Sequence, residues 1–220
     1  MNLGAIFDWD GVVIDSAVQH ERSWELLAEE EKKPLPPDHF KEGFGKVNAV
    51  IIPGTLGWTD EPEEVLRLGL RKEQLYRDLL RENPITELPG VRNLLNALRD
   101  EGVPAVVGSS TPRRNLEVSI ELLGLEGLFH DLVSSDDVTN GKPDPEVFLK
   151  AAERINCAPG RCIVFEDSLH GIEAGLAGGM KVVGVATTHN AEKLAAADKI
   201  VHRLTEITID GLLQLVESPS

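Results

Sequence analysis

The chain has 220 residues, enough for one ordinary domain or for a domain with an insertion, and enough to bury a core without disulfide bonds. Hydrophobic residues make up 41% and charged residues 27% of the sequence, values that exclude a disordered chain. The formal net charge of −15 excludes the counterion-release energy that drives binding to nucleic acid, so we expect neither nucleic acid nor a membrane as a partner. Because this negative field also repels phosphorylated ligands, a phosphate site here needs a metal ion, a lysine or backbone N–H groups aimed at it.

Two features of the whole chain bear on where it resides. The cysteines, Cys157 and Cys162, are too few for a disulfide framework, and we expect free thiols in a reducing compartment. No apolar run approaches the length of a membrane span, and residues 1–3 lead into a strand-like segment without a basic start or a cleavage site. We therefore expect a cytoplasmic protein, and we take it to be a monomer.

Short apolar runs bounded by turn residues recur along the chain, and their near-continuous hydrophobicity is typical of parallel strands covered on both faces. Helical patterns fill most of the gaps. Thr111 before Pro112 predicts an N-cap followed by proline at the first helical position, and Ser168 predicts another N-cap. The alternation of strand and helix predicts an α/β fold with an open parallel sheet. The predicted strands are residues 3–7, 103–107, 131–133, 162–165, 181–185 and 199–201.

One interval breaks this alternation. From residue 16 to residue 86 the pattern is helical throughout, punctuated by prolines and by a turn at Pro53 and Gly54. The interval predicts an all-helical insertion after the first strand. We therefore expect two domains, one formed by residues 1–15 with 87–220 and the other by residues 16–86.

Ligands bind beyond the carboxyl ends of the strands in an open α/β sheet, so the residues just after each strand are the first candidates for a site. Residues 8–11 (DWDG) follow the first predicted strand, residues 109–111 (SST) the second and residues 166–168 (EDS) the fourth. Lys142 precedes a further predicted helix. Each feature alone has a structural alternative, namely solvated carboxylates in a turn, helix-capping serines or an exposed lysine.

The convergence of several carboxylates on one sheet edge favours a functional interpretation. Carboxylates placed together repel each other and destabilise the fold unless a cation lies among them, and Mg²⁺, a hard ion with oxygen ligands, suits them. Lys142 and the helix start at residues 109–111, with its hydroxyls and N–H groups, then supply what a phosphate needs. The sequence therefore predicts a Mg²⁺ ion and a phosphate group at one site.

The ordered set of motifs resembles the haloacid dehalogenase superfamily, which carries DxDG after the first strand, Ser or Thr after the second, Lys before a later helix and an acidic pair after the fourth. The resemblance spans residues 1–15 and 87–220, and the helical insertion resembles the cap domain of the β-phosphoglucomutase-like and phosphatase branch. It implies a Rossmann-like three-layer parallel-sheet core with an inserted all-α cap domain. It also implies a Mg²⁺-dependent phosphatase acting on a small phosphorylated metabolite such as a sugar phosphate. The matching residues are Asp8, Asp10, Ser109, Lys142, Glu166 and Asp167.

The charges of the motif residues indicate a mechanism. An Asp near the ordinary pKa of ~3.9 is ionised at neutral pH, so Asp8 can attack phosphorus without an activating base and form an aspartyl phosphate. Asp10 is expected to give a proton to the leaving oxygen and later to take one from water. Ser109 and Lys142 are expected to hold the phosphoryl oxygens as charge develops, with Ser110 as a further substrate-binding residue.

The resemblance, rather than the spacing, implies the complete ligand set of the metal. Asp8 and Asp167 would bind Mg²⁺ through their carboxylates and Asp10 through its backbone carbonyl. Glu166 would assist them. These four residues are the candidate metal site.

In the helical insertion, Lys72 interrupts an apolar helical stripe, four residues after Leu68 and three before Leu75. One interpretation packs its stem on the stripe and lets its ammonium reach water, and the other points it into the substrate cleft, where it binds substrate oxygens. His20 shares a helical face with Trp24, which is typical of a core histidine.

The resemblance to the β-phosphoglucomutase branch favours a functional interpretation of these residues. It implies that His20 interacts with the acid/base Asp10 and that Lys72 binds substrate. Lys46 falls near the position of a mutase arginine that binds the distal phosphate. A lysine in place of that arginine counts against mutase activity, because Arg binds phosphate with two parallel hydrogen bonds whereas Lys acts as a point charge. His20, Lys46 and Lys72 are therefore candidate substrate-binding residues. Residues 51–58 have no recognisable counterpart in that branch.

Two activities share these motifs. A phosphatase transfers the phosphoryl group from Asp8 to water, whereas a mutase transfers it to a sugar hydroxyl, and the sequence does not separate the two. We favour the phosphatase and keep a β-phosphoglucomutase-like mutase as the alternative. Hydrolytic dehalogenation is disfavoured because that branch lacks the second Asp of the motif, and Asp10 is present. The intact motif set gives no reason to expect a non-catalytic binding module.

Overall fold

The computed structural model describes residues 3–43, 46–83 and 85–218 of the chain. Met1 and Asn2, on which the expectation about the chain start partly rested, lie outside the described residues. The chain divides into two units, a core unit of Met1–Asp15 with Thr86–Ser220 and a helical unit of Ser16–Ile85.

The core unit is built on a parallel sheet. Its strands are β1 Gly4–Phe7, β2 Ala105–Gly108, β3 Asp131–Val133, β4 Cys162–Glu166, β5 Lys181–Val185 and β6 Lys199–Val201. Among the described residues they pair in the order β3-β2-β1-β4-β5-β6, all parallel, which confirms the predicted α/β fold. β1, β2, β4 and β5 are buried along their whole length, which is why their sequences are apolar without alternation.

Helices cover the sheet and build the helical unit. In chain order they are α1 Ala17–Glu31, α2 His39–Gly43, α3 Asn48–Val50, α4 Pro62–Glu82, α5 Val91–Asp100, α6 Arg113–Leu123, α7 Glu146–Arg154, α8 Leu169–Ala177 and α9 Ile209–Glu217. The predicted N-cap of α8 is confirmed, because the Ser168 hydroxyl accepts a hydrogen bond from the Gly171 N–H. The predicted N-cap at Thr111 is wrong, since α6 begins at Arg113 and the Thr111 hydroxyl bonds elsewhere.

Two helices support the sheet beneath its carboxyl edge. Phe148 of α7 and Ile172 of α8 are buried in one apolar cluster with Ile6, Val106 and Val164 of the central strands. Truncating a buried phenylalanine to alanine costs ~3–5 kcal/mol, so Phe148 is a major anchor of this layer.

The register of β1 with its neighbours brings the ends of three strands to one edge. Phe7 is level with Val107 on β2 and with Phe165 on β4. Asp8 therefore emerges beside Glu166, and its N–H donates to the Phe165 carbonyl at 3.0 Å. β1 lies between β2 and β4, from which the chain continues toward opposite edges of the sheet, and ligands bind at such switch points.

The helical unit has its own apolar core between α1 and α4. Trp24 of α1 packs there with Leu68 of α4. Ile51 and Ile52, placed near a turn in the sequence analysis, belong to a π-helical turn, Ile51–Thr55, and are buried in this core. Residues 51–55 belong to the segment without a recognisable counterpart in the β-phosphoglucomutase branch. They thus contribute to the packing of the helical unit.

The structure bears on two expectations about the whole chain, one about its cysteines and one about membrane spans. Cys157 and Cys162 are free and buried, as expected. None of the described helices is both long enough and apolar enough to span a membrane. Neither observation tests the expected cytoplasmic location.

Candidate active site

Asp8 and Lys142 form the centre of a polar site at the carboxyl edge of the sheet. The Lys142 ammonium lies 3.0 Å from Asp8 Oδ1 and donates a hydrogen bond to Glu166 Oε1 at 2.7 Å. It also lies 4.7 Å from the ring centroid of Phe148, the anchor of α7. All three charged side chains are buried, so their interactions are only weakly screened by water and salt.

A third buried carboxylate completes an acidic cluster. Oxygens of Asp8, Glu166 and Asp167 lie within 4.8 Å of one another. Glu166 Oε2 accepts a hydrogen bond from the Ser168 N–H at 2.6 Å, whereas Asp167 Oδ2 is buried without a hydrogen-bond partner in the described part of the chain. Three carboxylates thus face one ammonium, and carboxylate oxygens are the ligands of hard divalent cations. The acidic cluster therefore fits a hard divalent cation.

Two glycines let the backbone close around the acidic cluster. Gly11 has a φ of 80°, and a Cβ at this position would overlap Asp167 Oδ2. A Cβ at Gly171, in the first turn of α8, would overlap the Glu166 carboxylate. The last residue of the DWDG segment is therefore required to be glycine both by its backbone conformation and by the carboxylate that lies against it.

The acidic cluster shifts the pKa values of its members. Burial, with the charges of Glu166 and Asp10, raises the pKa of Asp8 to about 7, although Lys142 opposes the rise. Burial, followed by the charges of Glu166 and Asp8, raises the pKa of Asp167 above its ordinary range. Burial disfavours the charged form of Lys142 too, but the Asp8 and Glu166 carboxylates outweigh it and raise the Lys142 pKa. The raised Asp8 pKa runs against the sequence expectation of an ordinary pKa of ~3.9 for this group, and it applies to the protein without a bound cation.

Asp10 is held by a residue from the loop after β2. The Thr111 hydroxyl donates to Asp10 Oδ2 at 2.5 Å, and the Thr111 N–H donates to Ser109 Oγ at 3.2 Å. Ser109 is buried, and its own N–H donates to the Val133 carbonyl at 2.9 Å, while Ser110 is half-buried. The structure thus connects Asp10 and Ser109 through Thr111. The acidic cluster defined above does not include the Asp10 carboxyl.

Lys72 lies in a polar cluster inside the helical unit. Only 3% of Lys72 is exposed, and its ammonium donates to His20 Nδ1 at 2.8 Å and lies 3.2 Å from Glu73 Oε1. It also lies 5.5 Å and 5.4 Å from the ring centroids of Trp24 and Tyr76. The interpretation that places this ammonium in water is therefore wrong. Because an ammonium only donates, His20 Nδ1 is the acceptor of this hydrogen bond.

The two other candidates of the helical unit, His20 and Lys46, and the Lys72 neighbour Glu73 have different surroundings. His20 is stacked on Tyr76, with ring centroids 4.0 Å apart. Glu73 is fixed by Asn48, whose amide donates to Glu73 Oε1 at 2.7 Å. Lys46 is exposed in the segment before α3. The structure therefore places Lys72 and His20 in one polar cluster, with Lys72 buried and His20 half-buried, and it places Lys46 on the surface.

Sequence reasoning missed one contact of a candidate and two residues that contact the candidates. Thr111 was expected to cap a helix and to belong to the phosphate site after β2, but its contact with Asp10 was not predicted. Thr188 hydrogen-bonds the Asp167 carboxyl, which lowers the pKa of that group against the effect of burial, and no motif marks it. In the sequence, nothing distinguishes Glu73 from any other charged residue on a helix.

Known proteins are similar to this chain in sequence and in fold. The family model of haloacid dehalogenase-like hydrolases matches residues 4–179. A chloroplastic 5-amino-6-(5-phospho-D-ribitylamino)uracil phosphatase of Arabidopsis thaliana is 38% identical over 98% of this chain, which spans 58% of that protein's length. A beta-phosphoglucomutase of Bacillus subtilis is 30% identical over 94% of this chain and 92% of its own length. A solved structure of a HAD hydrolase, family IA, variant 3 from Entamoeba histolytica has a TM-score of 0.89 and 29% identity, and the match covers 98% of this chain and 100% of that one.

The match to the family model contains the charged residues at the centre of the site at the carboxyl edge of the sheet. Asp8, Lys142, Glu166 and Asp167 all fall within residues 4–179. The solved structure adds agreement over nearly the whole chain, the helical unit included. The chain therefore belongs to the haloacid dehalogenase-like hydrolase family.

Proposed function

We propose that the protein is a Mg²⁺-dependent phosphatase that hydrolyses phosphate monoesters of small metabolites through an aspartyl phosphate on Asp8. The observation that carries this proposal is the buried Asp8 carboxylate, 3.0 Å from the Lys142 ammonium and part of a cluster that fits a cation. A carboxylate in this position can attack phosphorus while Lys142 stabilises the charge on the phosphoryl oxygens. The protein is further proposed to act in the cytoplasm as a monomer.

In the first half-reaction, an Asp8 oxygen forms a bond to phosphorus as the bond between phosphorus and the leaving oxygen breaks. Asp10 donates a proton to that leaving oxygen, which departs as an alcohol. Lys142, Ser109 and Ser110 bind the phosphoryl oxygens during the transfer. The products are the aspartyl phosphate on Asp8, the alcohol and an ionised Asp10.

In the second half-reaction, water attacks the phosphorus of the aspartyl phosphate. Asp10 takes a proton from this water, and the bond between phosphorus and the Asp8 oxygen breaks. Inorganic phosphate leaves. One cycle therefore restores the Asp8 carboxylate and the protonated Asp10 carboxyl.

The residues proposed to hold Mg²⁺ are Asp8 and Asp167 through their carboxylates and Asp10 through its backbone carbonyl, assisted by Glu166. When bound, the ion supplies positive charge that offsets the repulsion of the carboxylates and stabilises the transferring phosphoryl group. Both Glu166 oxygens already accept hydrogen bonds, one of them from Lys142. Glu166 therefore also positions the Lys142 ammonium.

The proposed substrate is a phosphate monoester of a sugar or a sugar alcohol. The names of the Arabidopsis and Bacillus relatives each specify a phosphorylated ribityl or glucose skeleton, so both skeletons are polyhydroxylated. Ser110, His20, Lys46 and Lys72 are the proposed substrate-binding residues, because hydroxyl, imidazole and ammonium groups can donate hydrogen bonds to phosphate and hydroxyl oxygens.

A β-phosphoglucomutase-like mutase is the second candidate. It is favoured by the hydrogen-bonded pair of buried Lys72 and half-buried His20, the two residues that the resemblance to that branch assigns to its site. The name of the Bacillus relative supports it as well. In a mutase, a sugar hydroxyl rather than water receives the phosphoryl group from Asp8.

Phosphorus NMR distinguishes the two candidates. The protein is incubated with Mg²⁺, β-glucose 1-phosphate and a trace of glucose 1,6-bisphosphate, and parallel samples contain other sugar and sugar-alcohol monophosphates. We expect inorganic phosphate from at least one monophosphate and no glucose 6-phosphate. A growing glucose 6-phosphate signal would establish the mutase instead, and no conversion of any ester would overturn both candidates.

Lys72→Met should lower kcat/KM by about 10- to 100-fold, mainly through KM, because a lost charged hydrogen bond to substrate costs ~1.5–3 kcal/mol. Met keeps the unbranched stem that packs near Trp24 and Tyr76. The matched control, Lys41→Met, removes an exposed lysine of α2 and should leave kcat/KM within about 2-fold of wild type. Equal kinetics for the two variants would show that Lys72 does not bind substrate.

A further inference from the structure

We propose that Thr111 is a positioning residue for the acid/base group Asp10, an inference that rests on the proposed function. Thr111 is buried, and its hydroxyl donates to Asp10 Oδ2 at 2.5 Å. It lies before the first residue of α6, which has Pro112 at its N-cap position and no side-chain cap. Helix capping therefore does not account for this hydroxyl.

The backbone of Thr111 is fixed on both sides of its side chain. Its N–H donates to Ser109 Oγ, and its carbonyl accepts from the Ser135 N–H, each at 3.2 Å. Ser135 begins a short turn that is itself closed by Ser134, whose hydroxyl and N–H both donate to Asp137 Oδ2. A hydroxyl on such a restrained backbone sets the direction of the carboxyl that it binds.

Proton transfer by Asp10 requires its carboxyl group to be held in a fixed orientation. Asp10 gives a proton in one half-reaction and takes one in the other, so one of its oxygens must point at the reacting oxygen each time. The bond from Thr111 holds the other oxygen and restricts rotation of the carboxyl about its Cβ–Cγ bond. Losing the hydroxyl should therefore slow the departure of leaving groups that need a proton and spare those that do not.

The test compares Thr111→Val, which keeps the shape and removes the hydroxyl, with Thr111→Ser, which keeps the hydroxyl. It measures kcat/KM, which reports the steps up to departure of the leaving group, for an alkyl phosphate and for para-nitrophenyl phosphate. An alkoxide needs a proton to leave, whereas para-nitrophenolate is a stable anion. The sugar-alcohol phosphate that the wild type hydrolyses fastest serves as the alkyl ester.

We expect Thr111→Val to lower kcat/KM for the alkyl phosphate by about 10- to 100-fold, a part of the ~10²–10⁴-fold that general acid–base catalysis contributes. For para-nitrophenyl phosphate the loss should be less than about 3-fold, and Thr111→Ser should stay within about 3-fold of wild type on both esters. Should Thr111→Val fail to fold, Thr111→Ala carries the same expectation.

A matched control separates positioning from the loss of any buried hydroxyl. Ser119 of α6 is buried and donates to the Asn115 carbonyl at 2.6 Å, and Ser119→Ala should change neither rate. Mg²⁺ should raise the melting temperature of Thr111→Val as much as that of wild type, because Thr111 is not in the acidic cluster.

Three results would overturn the inference while leaving the phosphatase intact: equal losses on both esters, no loss on either, or a loss in Thr111→Ser as large as that in Thr111→Val. A wild-type protein that hydrolyses no ester would instead overturn the proposed function, and the role of Thr111 with it.

Discussion

Asp8→Asn should lower kcat for phosphate-ester hydrolysis by at least about 10⁴-fold and leave the protein folded. Asn has the shape of Asp, but its neutral amide does not form an acyl phosphate. The fold should tolerate the change, because burial disfavours the Asp8 charge and raises its pKa to about 7. Lys142 remains paired with Glu166 in the variant. We therefore expect the metal-free variant to melt no lower than the wild type.

Mass spectrometry of acid-quenched reactions checks the site of phosphorylation. In the wild type, the added phosphate should map to the peptide that contains Asp8, and in Asp8→Asn it should be absent. Asp60→Asn, a change at an exposed acid of the helical unit, is the matched control and should keep both the activity and the phosphopeptide. Phosphate on another residue, or hydrolysis by Asp8→Asn within about 10-fold of wild type, would contradict the nucleophile assignment.

Asp167→Asn should raise the stability of the metal-free protein and remove most of the stabilisation by Mg²⁺. A carboxyl whose pKa is higher in the folded than in the unfolded chain favours folding only while it is protonated, so this contribution is lost as pH rises through the folded pKa. Burial and the charges of Glu166 and Asp8 raise the pKa of Asp167 in this way. With a chelator at about pH 8, the variant should melt about 2–8 °C above wild type, equivalent to ~1–2 kcal/mol, and the difference should shrink at about pH 5.

Added Mg²⁺ should reverse the order of the two melting temperatures, so that the wild type melts above Asp167→Asn. At a concentration ~100-fold above Kd, an ion that binds only the folded state stabilises it by ~2.7 kcal/mol, or about 5–10 °C for a chain of this size. Asp167→Asn should gain less than about 2 °C, because it lacks a carboxylate ligand. Asp60→Asn should respond to Mg²⁺ and chelator as wild type does. An equal Mg²⁺ shift in Asp167→Asn would show that Asp167 is not a ligand, and a lower melting point in chelator would contradict the repulsion argument.

The sequence by itself determined the architecture of the core and the positions of its charged motifs. A strand covered on both faces needs apolar side chains in both directions, so β1, β4 and β5 stand out as continuous apolar runs. Polar residues that directly follow such runs must emerge at the carboxyl edge of a parallel sheet. Asp8 and Glu166 were predictable as neighbours for this reason, because backbone direction alone brings them there.

Only the tertiary structure decided which side chains touch and how their charges behave. Thr111 and Asp10 are separated by 101 residues and Lys72 and His20 by 52, so no local pattern indicates either contact. Thr111 has the sequence signature of a helix cap, and the place of Lys72 in an apolar stripe left open whether its ammonium reaches water or binds substrate. The pKa of Asp8 likewise depends on burial and on the summed charges of Lys142 and Glu166, which exist only once distant segments pack together. Secondary structure follows from local periodicity, whereas hydrogen-bond partners and electrostatics follow from the packing of segments that are far apart in the chain.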